Sequence, residues 1–540
     1  MAGLATSVGA GAASNSFDQI VGADTLFIFG SNTTEAHPIV SLHVNKAIKN
    51  GARLIVGDPR KIELVQYADA WLNLRPGTNI ALINGLLHII IKEGWENRAF
   101  IDGRTEGFEK LKAKVKAYTP GRVEKITGVS RGRLKEAAQI YARSDKAMIL
   151  YGLGVTEHVT GTENAMAMAN LCLACGQIGR PSTGIMALRG QNNVQGASDM
   201  GPAPNVFAGY QPVADPGVRS KFETAWKVTI PTDIGLKSVE MLDECRRDAF
   251  KGLYILGEDP AQTDANLHEV REALERVEFL VVQDIFPTET TRFAHVILPG
   301  ATFAEKDGTF TNGERRVQRI RKAIAPLSGK AEWQVICEIA SRMGYPMHYD
   351  HPAEIMDEIA SLTPIYGGIS YSRLERESLQ WPCPAKDHPG TATLYTDLFS
   401  RPGGLAQFVP LDHADSGENI DREYPLALIT GRRREHYNAG SMTRRIAGIM
   451  HFFPEELLEI NPKDADILDI RDGEMVRVAS RRGSVTVKAK ITDRSQEGMV
   501  FLAFHHRNAL TNILTSGIRD PLTGTPEYKF SAVRIEKNET

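Results

Sequence analysis

The chain has 540 residues, of which 42% are hydrophobic and 24% charged, and a formal net charge of −3. That length can enclose several hydrophobic cores, so we expect three or four domains. The near balance of charge argues against a generally basic surface of the kind that binds nucleic acid or acidic membranes. The longest apolar stretch, residues 80–91, is broken by Asn84 and His88 and is too short for a bilayer, which predicts no membrane insertion.

The first 14 residues are rich in alanine, glycine and serine and lack the basic and apolar regions of a signal peptide. We predict a flexible tail there. Five cysteines, at positions 172, 175, 245, 337 and 383, have no framework spacing, which indicates a reducing compartment. Cys172 and Cys175 form a CxxC pair within a helical pattern, and we predict packed small side chains rather than metal ligands.

Three short apolar runs near the N-terminus each end in a turn. The runs and their turn residues are Leu26–Phe29 with Gly30, Leu54–Val56 with Gly57 and Asp58, and Trp71–Leu74 with Gly77. A helical pattern at residues 37–50 separates the first two. Strands that alternate with helices predict a doubly wound parallel sheet.

The same order recurs in the second half of the chain. The later runs are Leu253–Leu256 with Gly257, Phe279–Val282 with Gln283 and Asp284, and Val296–Leu298 with Gly300. Asp58 lies 28 residues after Gly30, and Asp284 lies 27 residues after Gly257. A glycine at a strand end lets a phosphate approach the next helix, and the later aspartate can accept hydrogen bonds from a ribose or a purine. The repeat predicts two related nucleotides, or one cofactor with two nucleotide arms.

A third glycine pair, Gly152 and Gly154, follows the apolar run 147–150 and is a further candidate turn. The most informative stretch is the polar, glycine-rich run from Arg189 to Gly201. It is either an exposed loop or a buried polar segment that lines a site. In the second case Arg189 could bind an anion with two parallel hydrogen bonds.

The C-terminal pattern is typical of β-structure. Residues 475–480 and 484–491 flank a hairpin turn, and residues 499–504 and 532–535 add further strands, which predicts a closed or partly closed barrel from about Tyr424. The arginine-rich stretch 430–445 suits one compact anionic ligand better than a nucleic acid, because no aromatic stacking platform accompanies it.

The predicted fold class is therefore α/β: two doubly wound parallel-sheet domains related by a pseudo-repeat, followed by a C-terminal six-stranded type of β-barrel. The predicted domains are a first α/β domain at 1–191, a second with its connecting segment at 192–335, a helical connector and linker at 336–423, and the barrel at 424–540.

Together these segments resemble the molybdopterin oxidoreductase (DMSO reductase) family, and within it the catalytic alpha subunits of formate dehydrogenases. The resemblance is colinear along the chain, and its most specific motif is Arg189-Gly-Gln-Asn-Asn-Val-Gln-Gly196. The other motifs include Phe29-Gly-Ser-Asn32, Asp58-Pro-Arg60, Gly152-Leu-Gly-Val-Thr156, Gly257-Glu-Asp-Pro260, Gln283-Asp-Ile-Phe286, Glu305–Asn312 and Tyr528-Lys529.

The resemblance implies a molybdenum or tungsten bis(molybdopterin guanine dinucleotide) cofactor, with Arg189 as the catalytic residue that orients formate. It implies contacts to one arm from Asn32, Asp58, Arg60, Gly77 and Asn79, with Gly30, His37, Pro59, Gly152, Gly154 and Gln191 as further cofactor contacts. Contacts to the other arm would come from Gly257, Glu258, Asp259, Gln283 and Asp284. The barrel would add Thr430, Gly431, Arg432, His436, Asn512, Tyr528 and Lys529.

Members of the family carry an N-terminal segment with a 4Fe–4S cluster, followed by a cysteine or selenocysteine that ligates the metal. None of the five cysteines stands in the ligand's place, so we expect the ligand and cluster to precede Met1, with a selenocysteine TGA codon shortly upstream. The implied function belongs to anaerobic metabolism: formate is oxidised to carbon dioxide, and electrons pass through the cluster to other formate dehydrogenase subunits in the cytoplasm. The alternatives are another enzyme with this cofactor, such as a nitrate reductase, and a non-catalytic cofactor-binding fragment.

Overall fold

The computed structural model describes residues 1–537, which form two compact units. The first unit is assembled from three stretches of chain: Met1–Gly190, Gln262–His268 and the part from Thr393 onward. The second comprises Gln191–Ala261 and Glu269–Ala392. The finer division into four domains stays a prediction.

The first unit contains a five-stranded sheet in which every strand pair is parallel. In spatial order its strands are Ala70–Leu72, Arg53–Gly57, Thr25–Phe29, Ala147–Tyr151 and Gly184–Ala187. Every residue of Thr25–Phe29 and of Ala147–Tyr151 is buried, as expected for parallel strands covered on both faces. The chain order reverses direction between these two strands, and ligands bind at such a point in open parallel sheets.

Alternate residues of the strand Thr25–Phe29 enter two different cores. Phe27 and Phe29 pack with the long helix Asn79–Lys92, whereas Leu26 and Ile28 pack with the helix Pro38–Lys49. The apolar stretch 80–91 is thus a core helix.

The predicted flexible tail is wrong. Residues Ala2–Val8 form a helix, and Leu4 and Val8, one helical turn apart, are fully buried in the first core. The small residues that suggested disorder let this helix pack closely: a Cβ atom added to Gly3 would lie 2.4 Å from the carbonyl oxygen of Thr162. Small side chains allow close packing as readily as flexibility, and composition does not separate the two.

The second unit contains a parallel sheet of three strands, in the order Val296–Pro299, Phe279–Asp284 and Gly252–Leu256. Leu280 and Val282 are buried in its core, beside the helices Ser238–Arg246 and Leu267–Arg276. An antiparallel sheet of Gly308–Thr311, Arg316–Ile320 and Leu379–Gln380 completes the unit's larger β-structure.

The C-terminal part of the first unit is a closed barrel of six strands, as predicted. Around the barrel the strands follow in the order Leu426–Gly431, Met499–Ala503, Leu457–Ile460, Ser484–Ile491, Met475–Ser480 and Ser531–Lys537. Val476 and Val478 alternate with exposed residues and fill the barrel's core.

The segment 401–423, the end of the predicted connector and linker at 336–423, is packed on the first core. Phe408 and Leu411 are buried there, and Ala406–Gln407 pairs in parallel with Thr105–Glu106. The remaining longer helices of the chain are Arg98–Arg104, Phe108–Val115, Pro120–Thr127, Arg131–Ala142, Gly161–Ala174, Val194–Asp199, Pro216–Trp226, Glu332–Arg342, Pro352–Leu362, Ala447–Phe452 and Pro462–Ile467. Among residues 1–537, no helix has the length and apolar character needed to cross a membrane.

Candidate functional site

The carboxyl edge of the five-stranded sheet carries glycine turns after two adjacent strands. Gly30 follows Thr25–Phe29, and its N–H donates to the Gly57 carbonyl at 2.8 Å. Gly152 follows Ala147–Tyr151, and its N–H donates to the Phe29 carbonyl at 3.1 Å. The predicted contacts Gly30, Gly152 and Asp58, which follows Gly57, therefore share one edge of the sheet.

The two glycine turns pack backbone against backbone. Gly154 N–H donates to the Gly30 carbonyl at 3.0 Å. A Cβ atom would lie 2.7 Å from the Gly30 oxygen if added to Gly154, and 2.8 Å from it if added to Gly152. Gly30 itself has a φ of +54°, where residues with a side chain are strained. The close approach of the turns therefore requires glycine at these positions, whether or not a phosphate binds beside them.

Buried amide groups beside this edge have no hydrogen-bond partner within the described residues. They are both amide atoms of Asn32 and the Nδ2 of Asn79. Asn79 begins the 14-residue helix Asn79–Lys92, whose N-cap Thr78 makes no side-chain capping bond in the described structure. A buried polar atom left without a partner costs about 1–3 kcal/mol. These groups, and the open N-terminal turn of the helix, fit a polar or anionic ligand.

Asp58 and Arg60 form a loop between the sheet and the barrel. Burial raises the pKa of Asp58 to about 6, against the hydrogen bond that its Oδ1 accepts from Arg60 N–H at 2.9 Å. The Arg60 guanidinium lies 3.6 Å from the ring centre of Phe501, and its Nη2 donates to both Glu459 carboxylate oxygens at 2.9 and 2.7 Å. Pro59 between them accepts a hydrogen bond at 2.8 Å from Gln496. The barrel thus holds the loop in place.

Glu459 lies at the centre of a buried cluster that sequence reasoning missed. Besides Arg60, it lies 3.6 Å from Arg494 and 3.9 Å from Arg433. Arg494 in turn pairs with Glu35 at 2.6 Å. The one sequence signal is a glutamate inside the apolar strand Leu457–Ile460, where an unpaired charge would be costly.

Four predicted barrel contacts lie together. Thr430 Oγ1 donates to the Tyr528 carbonyl at 2.8 Å, and Lys529 Nζ lies 2.8 Å from a Glu157 carboxylate oxygen. Gly431 faces Phe501, because a Cβ atom added to Gly431 would lie 2.5 Å from that ring.

His436 belongs to a cluster of three buried histidines. Its ring centre lies 5.5 Å from that of His505 and 4.7 Å from that of His506. Burial, with a smaller contribution from the neighbouring His436, lowers the pKa of His505 to about 3 and that of His506 to about 4. His505 and His506 were not predicted; they directly follow the strand Met499–Ala503.

Arg432 and Asn512 are the remaining predicted contacts of the barrel. Arg432 lies against the backbone of Gly190, since a Cβ atom added there would be 3.0 Å from its Nη1. Burial, and then the charge of Arg432, lower the pKa of His37 to about 4 and favour its neutral form. Asn512 Nδ2 donates to the Thr263 carbonyl at 2.6 Å, while its buried Oδ1 has no partner in the described part of the chain.

Arg189 follows the last strand of the five-stranded sheet, Gly184–Ala187, and so lies at the same edge as Gly152. Its Nη2 donates to the Gly11 carbonyl at 2.7 Å, which orients the guanidinium. The segment that follows is partly buried: Gln195 and Asp199 are inaccessible to solvent, whereas Asn192 is exposed. Of the two readings of this run, the structure favours a buried polar segment over a loop that is exposed throughout.

The second unit repeats the arrangement at its own parallel sheet. Gly257 has a φ of +66° and donates its N–H to the Gln283 carbonyl at 2.9 Å. Loss of hydration raises the pKa of Glu258, and the carboxylates of Asp284 and Asp259 raise it further, although much of the Glu258 side chain is exposed. Three carboxylates at one edge of the sheet suit a ligand that donates hydrogen bonds.

The side chains of this second set are already hydrogen-bonded. Asp259 Oδ1 accepts from Thr290 N–H at 2.8 Å, and Asp284 Oδ1 accepts from Ile285 N–H at 2.6 Å. The Gln283 amide accepts from the Tyr254 hydroxyl and donates to the Pro299 carbonyl. Gln191 also lies in this unit, before the helix Val194–Asp199.

The first unit combines two glycine turns at a sheet edge, buried amides without a partner among the described residues, and a barrel that holds the same loops. These features define a protein that binds a nucleotide-bearing cofactor. Residues 2–342 match the family described as "Molybdopterin oxidoreductase", and residues 426–532 match the "Molydopterin dinucleotide binding domain". The chain belongs to the molybdopterin oxidoreductase family, and the resemblance predicted from the sequence is confirmed. These matches support a molybdenum- or tungsten-pterin cofactor.

Relatives of known name agree with this assignment. The chain is 45% identical over 539 residues to "F420-dependent formate dehydrogenase 2 subunit alpha" of Methanococcus maripaludis, covering 99% of this chain and 79% of the relative. It is 43% identical over 542 residues to "Formate dehydrogenase H" of Escherichia coli, covering 99% and 76%. The fold is similar to that of acetylene hydratase from Pelobacter acetylenicus, with a TM-score of 0.79 and 19% identity over 99% of this chain and 80% of that one.

Proposed function

We propose that the full-length enzyme oxidises formate to carbon dioxide with a bis(molybdopterin guanine dinucleotide) cofactor of molybdenum or tungsten. The observation that carries this proposal is the similarity, along 99% of the chain, to subunits named formate dehydrogenases. In the reaction formate loses two electrons and one proton. The bound cofactor would supply the metal centre that accepts the electrons.

Arg189 is the residue that we propose binds formate. Its guanidinium is planar and is held by the hydrogen bond from its Nη2 to the Gly11 carbonyl, and a guanidinium can bind a carboxylate through two parallel N–H groups. Such binding fixes the direction of the formate C–H bond. Correct orientation of a bound substrate lowers the barrier to its reaction. Arg432, close to Gly190, adds positive charge that favours a monoanion.

One guanine dinucleotide arm would contact the first unit. The Asn32 amide and the Asn79 Nδ2, which have no hydrogen-bond partner among residues 1–537, would bind its acceptors and donors, and the turn at Gly77 leads to the open N-terminus of the helix Asn79–Lys92. Asp58 would accept hydrogen bonds from the ribose or the base. Thr430, Tyr528 and Asn512 of the barrel would complete this set.

The other arm would contact the second unit, where Glu258, Asp259 and Asp284 form an acidic edge. A guanine base presents N–H donors to such an edge. We propose, from the resemblance, that electrons then pass to a 4Fe–4S cluster and to other formate dehydrogenase subunits. The relatives extend beyond the matched region, since this chain covers 79% of the first, and the cluster would belong there. The five free thiols agree with the cytoplasmic location that we propose.

A comparison of formate with nitrate, using the full-length purified enzyme, tests this function. We expect oxidation of formate with an artificial electron acceptor and no reduction of nitrate. Nitrate reduction without formate oxidation would refute the proposal in favour of another reaction. Two guanine nucleotides and one metal per chain, without either activity, would favour a cofactor-binding protein that is not an enzyme.

Replacing Asp58 by asparagine is expected to lower the guanine nucleotide released on denaturation without lowering the stability of the cofactor-free protein at pH 7. The pKa of this carboxyl rises from 3.8 to about 6 on folding, so the folded state loses stability as the pH rises through that interval. The neutral amide removes that loss and still accepts the Arg60 N–H. Full nucleotide content in both Asp58→Asn and Asp284→Asn would contradict the two-arm assignment.

A further inference from the structure

Asp199 is a buried carboxylate that no part of the proposed mechanism uses. It is inaccessible to solvent, and each of its oxygens accepts two hydrogen bonds. Oδ1 accepts from Gln195 Nε2 at 2.7 Å and from the Tyr210 hydroxyl at 2.6 Å. Oδ2 accepts from the Tyr366 hydroxyl and from Trp381 Nε1, both at 2.7 Å. All five residues lie within the second unit.

These hydrogen bonds join two distant stretches of chain to the end of the polar run. Tyr366 and Trp381 lie 167 and 182 residues from Asp199. The same run is held at a second point, because Asn193 Oδ1 accepts the Thr311 N–H at 2.9 Å. Asn193 has a φ of +60°, in the left-handed region that few residues other than glycine and asparagine adopt. The segment that begins at Gln191 is therefore fixed at both Asn193 and Asp199.

Stability alone is a weak reason for such an arrangement. Burial raises the pKa of Asp199, although the hydrogen bonds from Tyr210 and Tyr366 oppose the rise. A buried charge surrounded by neutral donors stabilises a fold less than apolar side chains of the same volume often do, but it specifies one geometry. The helix that it closes, Val194–Asp199, has only six residues.

We propose that Asp199 is a positioning residue, which fixes the segment 191–199 and with it Gln191 in the geometry that catalysis requires. This inference rests on the proposed function and on the cofactor contact that the family resemblance implies for Gln191. Asp199 itself acts through Gln195, Asn193 and the backbone between them. A displacement of about 1 Å in a group that orients the reactants can lower a rate about 100-fold, so a small relaxation of the segment is sufficient to matter.

The test uses the full-length enzyme purified with its cofactor and compares Asp199→Asn with Leu274→Ala. Leu274 is buried in the core of the second unit and takes no part in the Asp199 network, so its truncation destabilises the same unit by leaving a cavity. For each variant we would measure the thermal midpoint, the metal and guanine content, and kcat and KM for formate. The visible absorption spectrum of the bound cofactor provides a readout that does not depend on formate.

In Asp199→Asn we expect about a 10- to 100-fold lower kcat per loaded enzyme and a changed cofactor spectrum, with metal content near that of the parent. In Leu274→Ala we expect the kcat and spectrum of the parent, although its thermal midpoint falls by an amount comparable to that in Asp199→Asn. Equal kcat and spectra in the two variants would overturn the proposal. Should Asp199→Asn fail to fold, Tyr210→Phe and Tyr366→Phe each remove one donor and should lower kcat by smaller factors; parental kcat and spectra in both would also overturn it.

Failure of the proposed function can be distinguished from failure of the positioning role of Asp199. A parent enzyme that does not oxidise formate refutes that function, whereas the spectra of Asp199→Asn and Leu274→Ala still decide the positioning role. A changed spectrum in Asp199→Asn alone would support it, and identical spectra would refute it.

Discussion

Replacing Arg189 by lysine is expected to lower kcat/KM for formate about 100-fold while leaving the metal and guanine content unchanged. Lysine keeps the positive charge but has no planar pair of N–H donors, so it binds a carboxylate without fixing its direction. The native guanidinium is also held at one end by the Gly11 carbonyl, which a lysine at this position would have to leave or occupy with its single ammonium group. Steady-state rates at several formate concentrations give the measurement.

Arg180→Lys is the matched control for this experiment. Arg180 is in the same unit, four residues before the strand that leads to Arg189, and its exposed side chain donates to the Asp145 carbonyl. We expect parental kinetics from it. Parental kinetics in Arg189→Lys as well would show that Arg189 has a structural role and does not orient the substrate.

Removal of the Glu459 carboxylate is expected to have the largest effect on stability. In Glu459→Ala the buried Arg60 guanidinium loses both of its short hydrogen bonds, and Arg494 and Arg433 lose a nearby negative charge. Breaking a buried ion pair in this way costs about 3–5 kcal/mol, because an uncompensated charge remains in the interior. Chemical denaturation of the cofactor-free protein measures the loss.

The same variant should also release the Asp58–Arg60 loop and lower guanine retention. Glu497→Ala serves as the control, since Glu497 forms an exposed pair with Lys463 at 3.0 Å and such pairs contribute about 0–1 kcal/mol. In the double variant Glu459→Leu/Arg60→Met we expect most of the lost stability to return, since the buried Arg60 charge is removed together with its partner. A loss in Glu459→Ala no larger than that in Glu497→Ala would contradict the role of this pair.

Much of the fold could be predicted because it is encoded locally. The five-residue apolar runs of the first sheet, such as Thr25–Phe29, are strands buried on both faces, and the turn at Arg481–Gly483 indicates the hairpin of the barrel. The edge that carries Gly30, Asp58 and Gly152 follows from the strands, because the carboxyl ends of parallel strands meet at one side of a sheet.

The parts that could not be predicted depend on contacts between distant residues. Arg60 and Glu459 are 399 residues apart, and Asp199 and Trp381 are 182 apart. The residues on either side of each partner give no sign that the two side chains are in contact. The helix Ala2–Val8 was missed for another reason: its small residues have the composition of a flexible segment, and its burial depends on the surface against which it packs.

The discontinuity of the first unit also has a consequence for the order in which the protein folds during translation. Arg60 is synthesised 399 residues before Glu459. At about 5–20 residues per second, that interval lasts about 20–80 s. For most of it, the first sheet lacks the side chains of Phe408 and Leu411 that close its core, while the whole of Gln191–Ala392 is synthesised. The nascent first unit therefore remains open to chaperones for longer than the second, and the loop of Asp58 and Arg60 is among the last parts of the molecule to reach its final structure.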